Sequence, residues 1–281
     1  MRQGKVAMNI RSCYFGQTAQ QIVTDYFSWL SRTRGLAIAA AVVLGVVAIA
    51  LVFLECMVGY FACLAAILAT AWMLRAKIGR RFRGLFDILG SDCDAEKYRE
   101  VIEGVAQRDK RQRSKGTCLT ELALAHYHAN RPMDALRLLS EVSFKSEKNI
   151  LWVRTYNVEA IARNAVGDIA GRDAALERIA AFRAGTGINS AKRAVIDDIL
   201  LGLNVQFRPA QQWGPADLDC MRKNAALADS RLTWISWKIC EAEYQLVHGD
   251  AQEAALLLGG VVEGPVTPRA AANIERLRAL M

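Results

Sequence analysis

Residues 35–54 and 57–74 are two apolar stretches set back to back, and Glu55 is the one charged residue between positions 35 and 74. A hydrocarbon core about 30 Å thick is crossed by roughly 20 apolar helical residues at about 1.5 Å each. The pattern therefore predicts a two-helix membrane hairpin ahead of a long, more polar remainder of the 281-residue chain. A cleaved leader carries a shorter apolar core nearer its start, so the pair reads as a retained anchor.

Charge gives the hairpin a direction. Residues 1–34 carry net +4, residues 75–92 net +3, and everything from Cys93 onward only net +2. The excess sits in Arg32 and Arg34 before the hairpin and in Arg75, Lys77, Arg80, Arg81 and Arg83 after it; the turn around Glu55 has no basic residue. Lys and Arg accumulate on the cytoplasmic side of a span and contact anionic headgroups. The expectation is a multi-pass inner-membrane protein with both termini in the cytoplasm and the bilayer as a partner. A basic stripe interleaved with aromatics is missing, which argues against nucleic acid as a partner.

The spans contain no ionisable residue at mid-depth, so transport and proton-relay chemistry lack their residues. Pairs of small residues four apart (Gly35 and Ala39, Ala41 and Gly45, Ala62 and Ala66, Ala65 and Ala69) let helices approach closely. They suit packing of the two spans on each other and offer a route to homo-oligomers. Within the segment 1–34, residues 1–16 read as loosely ordered. Ala19, Ile22, Val23, Tyr26, Phe27 and Leu30 then mark one face of a juxtamembrane helix over about 17–31. With Trp29 beside the stripe, it is expected to lie on the inner leaflet. Residues 75–91 read as a basic linker.

From residue 92 the pattern is helical throughout. All five prolines lie between 132 and 268, and strand-like alternation is missing. Short turn signals separate the helices: Asn130-Arg131-Pro132, Gly167-Asp168, Gly185-Thr186-Gly187, Gly249-Asp250 and Gly264-Pro265. Around three of them the same arrangement returns. Leu122, Ala123 and Tyr127 precede Asn130-Arg131, with Ala135 after it. Ala160 and Ala162 precede Gly167-Asp168, with Ala174 and Ala175 after it. Ala242 and Tyr244 precede Gly249-Asp250, with Ala254 and Ala255 after it. This arrangement resembles the tetratricopeptide repeat (TPR), two antiparallel helices with small residues at their crossing. Asp94 reads as the N-cap of a half-repeat, 195–207 and 209–221 as a degenerate pair, and Thr267-Pro268 as the start of a closing helix. The fold class expected is all-α: a transmembrane hairpin followed by a TPR-like antiparallel helical array over 92–281.

Residues suited to chemistry do not converge. The seven cysteines lack metal-ligand spacing and read as reduced thiols. His126 and His128, two apart on a helix, point away from each other. The stretch 185–190 follows a helix rather than a strand, so it reads as a helix end and a cap, not a phosphate loop. Asp92 and Asp94 read as caps, Asp197 and Asp198 as solvated acids, and Trp234, Trp237 and Tyr244 as core. Catalytic, cofactor-binding and metal-binding residues are therefore expected to be none.

What the repeat resemblance implies is binding. Such arrays line a groove with the first helix of each pair, suited to a protein or peptide partner. In that register Tyr127, His128 and Arg163 face the groove. The implied role is a membrane-tethered scaffold or adaptor; the alternatives are a non-catalytic subunit of a larger membrane complex, or an enzyme of unfamiliar type on a helical scaffold.

Overall fold

The structure, a computed structural model, describes residues 11–109, 114–185 and 189–281. Among these residues it is all-helical, with no strand. Contacts divide it into two compact units, Gly16–Phe86 and the segment 11–15 together with Asp87–Met281. The sequence reading of residues 1–10 lies outside the described residues, as do residues 186–188; on either side of these, Gly185 ends one helix and Asn189 caps the next, accepting from the Lys192 amide at 2.9 Å.

The unit Gly16–Phe86 is a pair of packed helices, α1 (Ala19–Phe53) and α2 (Met57–Gly84). A capping box starts α1: the Thr18 hydroxyl accepts from the Gln21 amide at 3.3 Å, and the Gln21 side chain accepts from the Thr18 amide at 2.9 Å. At its other end Glu55 adopts a left-handed conformation, φ 55°, and the Cys56 amide returns to the Leu51 carbonyl at 2.9 Å. Both helices are long and apolar enough to cross a membrane. Leu36, Ile38, Val42, Val46, Phe61 and Leu68 all point outward, exposed.

Two expectations are corrected here. Residues 17–31 do not form a separate interfacial helix; α1 runs unbroken from Ala19 through the apolar stretch. No proline intervenes, and Gly35 alone costs a helix only about 1 kcal/mol. The stripe residues Ile22, Val23, Tyr26 and Leu30 are buried by protein instead of lying open to a leaflet. The basic segment 75–91 is likewise helical through Gly84, and the Arg81 guanidinium lies 5.9 Å from the Trp29 ring of α1.

In the larger unit, the segment 11–15 is tied to residues that follow the hairpin. The Ser12 amide donates to Asp92 Oδ1 at 2.8 Å and the Ser12 hydroxyl to the other carboxylate oxygen. The Lys97 ammonium donates to the Tyr14 carbonyl at 2.8 Å. Asp92, expected as a cap, makes this link; Asp94 is the cap, accepting from the Lys97 amide at 2.9 Å. Helices α3 (Asp87–Gly90), α4 (Ala95–Arg108), α5 (Lys115–His128), α6 (Pro132–Ser140), α7 (Leu151–Ala165), α8 (Ile169–Ala184) and α9 (Ser190–Phe207) follow. After a 3₁₀ turn (Ala210–Gln212) come α10 (Pro215–Leu227), α11 (Arg231–Val247), α12 (Ala251–Val262) and α13 (Pro268–Arg278). Neighbours pack in order: α5 on α6 and α7, α7 on α8 and α9, α11 on α12 and α13. The end of the series returns to its beginning, because α13 packs on α5 and α11 on α3. Trp234, Trp237 and Tyr244 lie in the core around α11 with Trp213, Met221 and Leu258.

Three of the turns share one backbone solution. Asn130, Gly167 and Gly249 sit at φ 60°, 78° and 89°. In each turn the following amide returns to the carbonyl five residues back: Arg131 to His126 at 2.9 Å, Asp168 to Arg163 at 3.0 Å, Asp250 to Gln245 at 2.8 Å. This is the Schellman termination, which satisfies otherwise orphaned helix carbonyls. Asp168 and Asp250 then cap the next helix, each accepting an amide at 2.9 Å. Arg131 offers no such cap, but Pro132 at the first helical position has no N–H to satisfy. A side chain at a left-handed position costs about 1 kcal/mol. Gly167→Ala and Gly249→Ala should therefore each lower stability by about 1 kcal/mol or more in urea melts, while Gly259→Ala, inside α12 with open space at the Cβ position, should not.

Candidate functional site

The face where α5, α7 and α13 meet carries the polar side chains of the sequence reading and several it did not single out. Glu121, in the middle of α5, is fully buried. Its carboxylate accepts from the Tyr98 hydroxyl of α4 at 2.9 Å and from both arms of the Arg154 guanidinium of α7, one of them at 2.7 Å. Beside this pair, the hydroxyls of the adjacent residues Thr120 and Thr155 meet at 2.9 Å. Burial, with the adjacent Glu121 charge, pushes the Tyr98 phenol well above its ordinary range and keeps it a donor.

Toward the end of α5, Tyr127 and His128 are half-buried, with rings edge-to-face at 5.0 Å. The Arg269 guanidinium of α13 lies 5.2 Å from the Tyr127 ring and donates to the Asn130 side chain at 3.1 Å. Burial, then Arg269 and Arg154, hold the His128 imidazole neutral, with its pKa pushed down to about 3. Burial also raises the Tyr127 phenol. The structure thus brings Tyr127 and His128 together with two arginines from distant helices.

Arg163 stands apart from them. Its guanidinium donates to Glu159 at 3.0 Å and to Asp168 at 2.5 Å, and Arg178 reaches the same Glu159 oxygen at 2.9 Å. Arg163 therefore braces the α7–α8 turn. The backbone amide of Gly171 and the Arg163 guanidinium hold the Asp168 carboxyl below the usual range.

Of the membrane-flanking cations, Arg32, Arg34, Arg75, Lys77, Arg80 and Arg83 are exposed and Arg81 half-buried. Groups of three or more metal-ligating side chains do not occur among the described residues. Two thiols of the helical unit are not poised nucleophiles: burial pushes Cys93 up to about 11 and Cys240 up to about 12.

Glu121, Arg154 and Arg269 carried no distinctive sequence signal, since charged residues on a helix read as its solvated face. The trace that could have exposed the first is its position, directly between Thr120 and the apolar run Leu122-Ala123-Leu124. Comparisons with protein-family models, with curated proteins and with solved structures yield no match.

Two consequences follow for stability. Arg154→Met leaves the buried Glu121 carboxylate without its cation and should cost about 3–5 kcal/mol. Glu121→Gln leaves only the better-solvated Arg154 and should cost measurably less, as read in denaturant titrations. The unfolded chain protonates His128 near its ordinary value of about 6.5, whereas the folded form resists down to about 3. The unfolded state binds more protons across that interval, so stability is complete above about pH 6.5 and lost as pH falls. Melts from about pH 7 to about pH 4 should show that loss, and His128→Gln should flatten the profile.

Proposed function

We propose that this chain is a membrane-tethered scaffold or adaptor, presenting a TPR-like array of antiparallel helix pairs to a protein or peptide partner on the cytoplasmic side. The observation that carries the reading is a recurring offset between neighbouring pairs. Glu96 meets Arg131, Thr120 meets Thr155, and Arg172 meets the Phe207 carbonyl, each across 35 residues. Gly202 faces Trp237 with the same offset. A helix–turn–helix unit stacked at about that length is the spacing expected of such repeats; the three shared Schellman turns stand 37 and 82 residues apart, one and about two somewhat longer units.

Membrane tethering rests on the outward-facing apolar side chains of α1 and α2, a surface poorly tolerated in water. The same-side placement of both flanks rests on the Ser12–Asp92 link, which joins residues before the hairpin to residues after it. The basic flanks favour the cytoplasm for that side.

Two native cysteines make the topology testable. Cys13 and Cys56 are both exposed, one before α1 and one in the hairpin turn. In single-cysteine variants, a membrane-impermeant maleimide should label Cys56 on intact right-side-out vesicles and Cys13 only after lysis. Labelling of Cys13 on intact vesicles overturns the topology. For the partner, a photo-crosslinking residue at position 128 in living cells should give a discrete protein adduct, and one at the exposed Arg137 of α6 should not. Equal or no adducts at the two positions would count against the scaffold role.

A further inference from the structure

The end of the hairpin away from its turn carries a charge that no acid balances. Arg32, Arg34, Arg75, Lys77, Arg80 and Arg83 are all exposed there. Between Asp25 and Asp87 the only carboxylate side chain is Glu55, in the turn at the opposite end. These six cations take part in none of the ion pairs formed among the described residues, whereas Arg99, Arg154, Arg163 and Arg222 of the helical unit each meet a carboxylate. We propose that the row Lys77, Arg80 and Arg83 on α2 binds the headgroups of anionic phospholipids. The inference rests on the membrane-tethered part of the reading above and not on the scaffold role.

Spacing is the first argument. Residues three apart on a helix are neighbours, so Lys77, Arg80 and Arg83 follow one face of α2 at steps of about 4.5 Å along the axis. Arg75, two residues before Lys77, falls on the opposite side. Arg81 leaves the row as well, with its guanidinium 5.9 Å from the Trp29 ring of α1. Like charges placed as neighbours on a helix repel one another. The helix dipole favours cations only in the last turn, which accounts for Arg83 but not for Lys77 or Arg80. An anion from outside the chain removes the repulsion.

Depth is the second. The apolar stretch of α2 ends at Leu74. At about 1.5 Å per residue, Lys77 lies about 4.5 Å beyond that boundary, Arg80 about 9 Å and Arg83 about 13.5 Å. The headgroup region adds roughly 5–7 Å on each side of the hydrocarbon core. Lys77 thus stands within the phosphate layer, and the other two stand just above it.

Direction is the third. The Cα–Cβ bonds of a helix tilt toward its N-terminus. For α2 that terminus is Met57, at the hairpin turn, so the cations at its other end lean back toward the headgroups. Helix α1 runs the opposite way, and Arg32 and Arg34 lean off the bilayer although they stand only three residues and one residue from Gly35. The two helices carry cations at matching depth with opposite lean, and α2 alone aims a row of three at the phosphate layer. Charged N–H donors fit the phosphate oxyanion, and an anionic lipid brings the net charge that a zwitterionic one lacks.

Native mass spectrometry of the full-length protein in mild detergent tests the site by reading lipid adducts, titrated with phosphatidylglycerol and with phosphatidylcholine of the same acyl chains. Phosphatidylglycerol should bind more tightly. Lys77→Gln, Arg80→Gln and Arg83→Gln should each weaken it about fivefold, the loss of one cation near an anionic surface, and leave phosphatidylcholine unchanged. Arg80→Lys keeps the charge and should keep most of the affinity. Arg32→Gln and Arg34→Gln should each cost less than about twofold, because their side chains lean away. Circular dichroism checks the fold of each variant. Equal affinity for the two lipids, wild-type phosphatidylglycerol binding in the triple α2 variant, or equal losses from α1 and α2 overturns the proposal, while phosphatidylcholine adducts would still support the tether. Absence of adducts with either lipid overturns the tether together with the proposal.

Discussion

The left-handed residue that ends α5, α7 and α11 governs the rest of the helical unit. A Schellman turn at Asn130, Gly167 or Gly249 stops one helix and lets the next begin within two residues. With so short a connection the chain has to fold straight back, and two helices lie antiparallel along their length. Close approach then requires small side chains at the crossing, and Ala123, Ala135 and Ala162 occupy that place in one shared core. Between the neighbouring first helices α5 and α7, the hydroxyls of Thr120 and Thr155 then meet at 2.9 Å.

Closure of the series adds a second layer. A run of helix pairs that contact only their neighbours leaves its two ends apart. Here α13 returns to α5, and Arg269 joins Asn130 and Tyr127 across more than a hundred residues of chain. The turn residue thus has two jobs at position 130: its backbone supplies the left-handed conformation, and its amide oxygen receives the arginine. Glycine would serve the first purpose at lower strain and fail the second, which gives a physical reason for asparagine where the other two turns carry glycine.

Local rules made much of the fold legible in the sequence. Apolar length marked α1 and α2, and Gly-Asp punctuation or its Asn-Arg counterpart marked three turns whose backbone geometry is nearly identical. The capping reading of Asp94 and Thr267 rested on side chains that reach only three residues, and both caps are present. What escaped depended on long-range contact. The stripe of Ile22, Val23, Tyr26 and Leu30 has the same spacing whether it meets lipid or protein, and only the folded chain shows it covered by protein. Asp92 has the look of a cap, yet its partner Ser12 lies 80 residues earlier. Tyr127 and His128 were singled out from the resemblance to a repeat register, but Arg154 and Arg269, which surround them, come from helices that no local pattern connects to α5. Arg163 shared the register of those two residues and was drawn instead to Glu159 and Asp168 nearby.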